Sequence, residues 1–160
     1  MLAGEYPPRW GGLGTATHHL ASAMVADGHQ VSVITRHTSW LGLGEYPGTE
    51  LQGVEVHPVA WAPIPMAFTR SYGRAALRQL RRLHRQNPVD IVHLHCPMIA
   101  LTARQIRSIR SQIAPVVATM HGTWLGERDG LRLASRAGES SAWLNPNDLA
   151  ILFTARWYAR

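Results

Sequence analysis

Two hydrophobic patterns alternate along the chain. Short β-branched runs such as Val31-Ser-Val-Ile34, Val54-Glu-Val-His57, Asp90-Ile-Val-His-Leu-His95 and Val116-Val-Ala-Thr-Met120 are bounded by Gly, Pro or Asn. Such runs predict strands. Met1-Leu-Ala-Gly4 is also apolar, stops at a turn, and reads as the tail of a further strand. Between the runs, apolar residues recur every three or four positions. Ala16, Leu20, Ala23 and Met24 mark a helix over Thr15–Asp27, closed by Gly28. Ala76, Leu80 and Leu83 mark another over Thr69–Gln86, and further helices are predicted over Ile99–Gln112, Asp129–Ala137 and Asp148–Tyr158.

Strand, helix and strand in repetition predict a parallel sheet covered on both faces. The expected fold class is α/β, a doubly wound, Rossmann-like sheet in 3-2-1-4-5 order. No repeat, low-complexity tract or linker divides residues 1–160, so one domain is expected. That fold places its first strand centrally, yet here the strand has about four residues. The last helix reaches Arg160 without a stop signal. The expectation is a domain incomplete at both ends.

Composition adds a charge argument. The net charge is +6, and all 16 basic residues are arginine, which favours anionic partners. A single cysteine, Cys96, excludes an intrachain disulfide and points to an intracellular protein. No export signal is visible, and no apolar stretch approaches the roughly 20 residues that span a bilayer. A cytoplasmic protein, peripheral at most to the inner face of a membrane, is expected.

The stretch GEYPPRWGGLGTATHHL, Gly4 to Leu20, carries three glycines within four residues at the first strand-to-helix junction. Open α/β sheets bind ligands beyond the carboxyl ends of their strands. Gly11, Gly12, Leu13 and Gly14 would line that crevice, where a ligand can approach the backbone and the helix start favours an anion. The Walker pattern is excluded, because the chain has no lysine. A dinucleotide fingerprint starting at Gly12 and Gly14 meets Thr17 at its third glycine position, and Arg36 stands where an acidic residue would end the second strand. An NADP-linked oxidoreductase using Arg36 is therefore a weak rival. His95 and His121 end the fourth and fifth strands and point into the same crevice, where imidazole can donate to a hydroxyl or phosphate. His93 shares a face with His95 and reads as a hydrogen-bonded core histidine. No His, Cys or carboxylate spacing matches a metal motif, so no metal and no cofactor are expected.

Taken in order, Glu5-Tyr-Pro-Pro8, Gly11-Gly-Leu-Gly14, Asp27-Gly-His29, Val31-Ser-Val-Ile-Thr-Arg36, Pro88-Val-Asp-Ile-Val-His-Leu-His95 and Val116-Val-Ala-Thr-Met-His-Gly122 resemble the N-terminal half of the retaining GT-B glycosyltransferases of family four. The resemblance covers nearly the whole chain. It implies transfer of a sugar from a nucleotide-sugar donor to a glycan or lipid-linked acceptor, without a metal. It implies that this half is the acceptor side, that Gly11–Gly14 lie by the donor diphosphate, and that His121 lies by the transferred sugar. It also implies a second domain with paired glutamates, which is not in this sequence, so the piece alone should be inactive. A non-catalytic sugar- or phosphate-binding module is the other alternative.

Arg74, Arg78, Arg81, Arg82 and Arg85 lie mostly opposite Ala76, Leu80 and Leu83, giving a cationic helix face. It is either a solvated outer face or a contact for anionic lipid head groups. Nucleic acid is not expected, because no binding motif appears and aromatics do not interleave with the arginines.

Overall fold

A computed structural model describes residues 1–8, 11–47, 50–63, 67–96, 100–139 and 145–158. Along the chain run α1 (Gly12–Ala26), β1 (Ser32–Arg36), β2 (Glu50–Leu51), β3 (Val54–Val59), α2 (Ala67–Gln86), β4 (Val92–His95), α3 (Ala103–Gln112), β5 (Val116–Thr119), α4 (Trp124–Arg136) and α5 (Pro146–Tyr158). The expected helix start at Ile99 and the end at Arg160 lie outside the described residues.

β1 pairs in parallel with β3, Ser32 opposite Glu55, and β4 with β5, Val92 opposite Val116. The segment before α1 joins these pairs. Leu2 bridges both Ile34 and Leu94 in parallel. The Leu2 and Ala3 N–H groups donate to the His93 and Ile34 carbonyls at 2.8 and 3.1 Å, while Ile34 and His95 donate to the Met1 and Leu2 carbonyls at 2.9 and 3.0 Å. The spatial order is thus β2-β3-β1-Leu2-β4-β5, the 3-2-1-4-5 arrangement with an added edge strand. The fold is α/β with parallel pairing, as the alternating patterns predict.

β2 is the element the hydrophobic pattern does not show. It turns back antiparallel onto β3 through Gln52 and Gly53, whose φ angles are +52° and +78°. Two left-handed residues in a row give the tight turn that suits strand twist. A side chain at 53 would also press on Val25 Cγ1 at 2.9 Å.

Helix starts differ from the predicted ones. α1 begins at Gly12 rather than Thr15, and α4 at Trp124 rather than Asp129. In α1 the first turn is mostly glycine, which adds no apolar stripe, and in α4 the start is set by the Thr123 cap and not by periodicity. Thr123 caps α4, its Oγ1 accepting from the Gly126 N–H at 3.0 Å. Thr102 and Gln105 form a reciprocal capping box on α3.

Two clusters bury the two sheet faces. On one, Tyr72, Ala76, Leu77 and Leu80 of α2 and Ile109 of α3 pack on Leu2, Ile34, Val92 and Leu94. On the other, Ala21 of α1 packs with Tyr6, Val31, Val33, Val54 and Val56. α2 comes so close to Ala100 that a Cβ on Gly73 would overlap the Ala100 carbonyl. α4 and α5 pack on each other through Leu131, Ala150, Ile151 and Ala155.

Candidate functional site

The glycine segment is a helix start rather than a loop up to Gly14. Gly11 is the N-cap of α1, in extended backbone with no side-chain cap. The Thr15 N–H bonds to the Gly11 carbonyl at 2.9 Å. The N–H groups of Gly12, Leu13 and Gly14 come before the first helical bond and have no partner in the helix. Gly14 is buried, whereas Gly12 is exposed, and a Cβ there would meet nothing within 4 Å. Gly11 is different, because a Cβ on it would collide with the Glu5 carboxylate.

Glu5 therefore places a negative charge beside the start of α1. Its carboxylate faces Arg36 Nη2 at 3.8 Å. Arg36 Nε donates to the Gly4 carbonyl, and the guanidinium lies 5.5 Å from the centre of the Trp61 ring. Arg36 is thus engaged by its own fold, which leaves it poorly placed for the 2′-phosphate that the NADP reading needs.

Three imidazoles stack at the carboxyl ends of β4 and β5. His93 and His95 lie 4.4 Å apart, and His95 and His121 lie 5.5 Å apart, with interplanar angles of 28° and 18°. His93 Nε2 meets Thr119 Oγ1 at 2.7 Å, the bonded histidine that strand alternation predicts. His95 is 5% exposed, so its ring is buried instead of open to a ligand. Its Nδ1 is 3.2 Å from Thr17 Oγ1 of α1 and 3.2 Å from His121 Nε2. Its Nε2 is buried without a hydrogen-bond partner among the described residues. Burial first, and then the neighbouring His93 and His121, push its pKa down to about 4. Burial likewise lowers that of His93. His95 is therefore neutral across the physiological range.

His121 is the exposed end of this stack. Its backbone N–H donates to Cys96 Sγ at 3.2 Å, so both ring and backbone are held by consecutive residues at the end of β4. Cys96 is buried and adopts φ +49°, a conformation unusual for a non-glycine residue. Its N–H donates to the Thr119 carbonyl at 2.9 Å, which fixes the twist. Glu5, Thr17 and Cys96 are the site residues that sequence reasoning missed. Each acts on a residue far away in the chain, and no local spacing signals that.

The five arginines of α2 are all exposed, as the amphipathic pattern predicts. Trp40 is 49% exposed, whereas the Trp61 indole is held by a hydrogen bond to the His37 carbonyl at 2.9 Å. Among the described residues no three His, Cys, Asp or Glu side chains are grouped to hold a metal, and no helix is long and apolar enough to cross a membrane.

A parallel α/β sheet with a glycine helix start at the first strand end and an exposed histidine beyond β5 defines a domain of the doubly wound class. The family model of the glycosyl transferase 4-like domain matches residues 11–160, and the chain belongs to that family. Two curated relatives are similar to it, the proteins named glycogen synthase from Mycobacterium tuberculosis strains CDC 1551 / Oshkosh and ATCC 25618 / H37Rv. Each is 32% identical over 145 residues, covering 81% of this chain and 34% of the relative. The chain thus spans about a third of the length of these relatives. No solved structure matches it.

Proposed function

We propose that this chain is the acceptor-side domain of a retaining, nucleotide-sugar-dependent glycosyltransferase. The observation that carries the reading is a single buried ring: His95 Nδ1 lies 3.2 Å from Thr17 Oγ1 of α1 and 3.2 Å from Nε2 of the exposed His121. The start of α1 and His121 therefore border one crevice. N–H groups without an intrahelical partner at the helix start suit a donor diphosphate, for which the Glu5 carboxylate would have to give way, and they would stabilise charge developing on the leaving group. His121 would hydrogen-bond and orient the transferred sugar. Gly11 and Leu13 would flank the diphosphate, with Gly12 nearest to it. No metal or cofactor takes part in this reading. A second domain would supply most donor contacts. The relatives' name supports a glycan acceptor. The exposed arginine face of α2 favours a second reading, in which the acceptor is lipid-linked and the domain rests on an anionic membrane surface.

Two variants of the complete transferase test the site. His121→Ala should lower kcat about a hundredfold with an unchanged melting temperature; wild-type turnover would remove His121 from the reaction. Gly12→Val adds a side chain where the fold has open space. It should weaken donor binding at least tenfold with little change in stability. Unchanged donor affinity would separate the start of α1 from the donor.

A further inference from the structure

The proton positions in the histidine stack follow from Thr17. Its hydroxyl has one hydrogen, and Oγ1 spends it on the Leu13 carbonyl at 2.8 Å. Toward His95 Nδ1, at 3.2 Å, the hydroxyl can then only accept. His95 therefore carries its proton on Nδ1. The same N–H lies 3.2 Å from His121 Nε2, which must present a lone pair. A neutral His121 with a lone pair on Nε2 carries its hydrogen on Nδ1. The opposite His95 tautomer would put an N–H on the buried Nε2, which has no acceptor among the described residues. Desolvation of that kind costs more for a donor or a charge than for an unused lone pair.

We infer that His95 is a positioning residue: with Thr17 as its anchor on α1, it fixes the tautomer of His121 so that Nδ1–H is the group offered to a ligand. The inference rests on the proposed role of His121 and sharpens it. The ligand atom met by His121 must be an acceptor, as a sugar hydroxyl oxygen is and an ammonium group is not. Cys96 completes the cradle by holding the His121 backbone N–H. The chain Leu13 carbonyl, Thr17, His95, His121 then links the helix start to the sugar-side donor.

The test is the ring nitrogen spectrum of His121 in protein carrying 15N-histidine, at a pH where the rings are neutral. In wild type the unprotonated nitrogen of His121 should be Nε2. In Thr17→Val the anchor is lost and the His121 signals should move toward a mixture of tautomers. In His95→Phe the lone-pair constraint vanishes, with the same spectral result. In the complete transferase both variants should lower kcat about tenfold while the donor KM stays within about twofold. His95→Asn, whose amide can still donate toward Nε2, should restore both spectrum and kcat. A wild-type His121 protonated on Nε2 overturns the inference outright. So does a spectrum unchanged in Thr17→Val, should His95→Phe fail to fold. If His121→Ala leaves turnover intact, the proposed role of His121 fails, whereas the spectrum still decides whether His95 sets its tautomer.

Discussion

The two halves of the sheet treat the same face in opposite ways. On the face that α1 covers, β1 and β3 present Val33, Val54 and Val56, all buried. The same face of β4 and β5 carries His93, His95, Val117 and Thr119, and Val117 is 50% exposed. One half uses the face to exclude water. The other uses it to hold a chain of imidazoles and hydroxyls that ends at the exposed ring of His121. Burying polar groups is tolerable there because nearly every one has a partner. The contrast teaches that the candidate site sits where this face of the sheet is least apolar, while Val92 and Leu94 on the opposite face of β4 still pack into the core.

The largest effect that would sharpen this contrast is expected at Gly73, where α2 meets Ala100. Gly73→Val should cost about 3 kcal/mol in urea denaturation, the upper range of overpacking. A wild-type midpoint would show that α2 can lift away. Next comes a matched pair on one face. Val33→Ala should cost about 2 kcal/mol, while Val117→Ala should stay within about 0.5 kcal/mol. Equal losses would erase the distinction between the halves.

A smaller effect concerns pH. The folded pKa of His95 lies below the ordinary value of 6.5, so the unfolded chain takes up a proton that the folded one refuses. Stability should therefore fall as pH drops from about 6.5 to about 4 and level off below that. His95→Asn should flatten this part of the curve. Subtracting the two curves removes the contribution of the Met1 amine, whose pKa burial lowers to about 5. Parallel curves would mean that His95 is not the group responsible. The smallest effect belongs to the outer face of α2. Arg78→Gln should weaken binding to vesicles rich in anionic lipid about fivefold, as expected for about 1 kcal/mol per arginine. No change would leave the arginine face as a solvated surface.

Much of the fold was legible because β-branched runs and helical periodicity are local signals. β2 was not, since two residues, Glu50 and Leu51, carry no period, and only the left-handed Gln52-Gly53 turn defines them. The start of α1 was hidden because glycines contribute no apolar stripe. The candidate site was legible where strand ends mark it, at His121 and the glycine segment. Alternation placed His95 on the correct face but gave no depth, and the ring proved to be buried. Glu5 beside Gly11, Arg36 folded back on Gly4, and Thr17 bonded to His95 across 78 residues depend on tertiary contact alone.

The bridge at Leu2 has a mechanical consequence. Three main-chain hydrogen bonds tie Met1–Ala3 to β1 and two tie it to β4, and these five are the seam between the half-sheets among the described residues. Shear between the two half-sheets is carried across these five bonds, with α2 laid over them as a clamp through Tyr72 and Ala76. Slow amide exchange should then resolve two cooperative units, β1–β3 and β4–β5, which open along this line before the whole domain does.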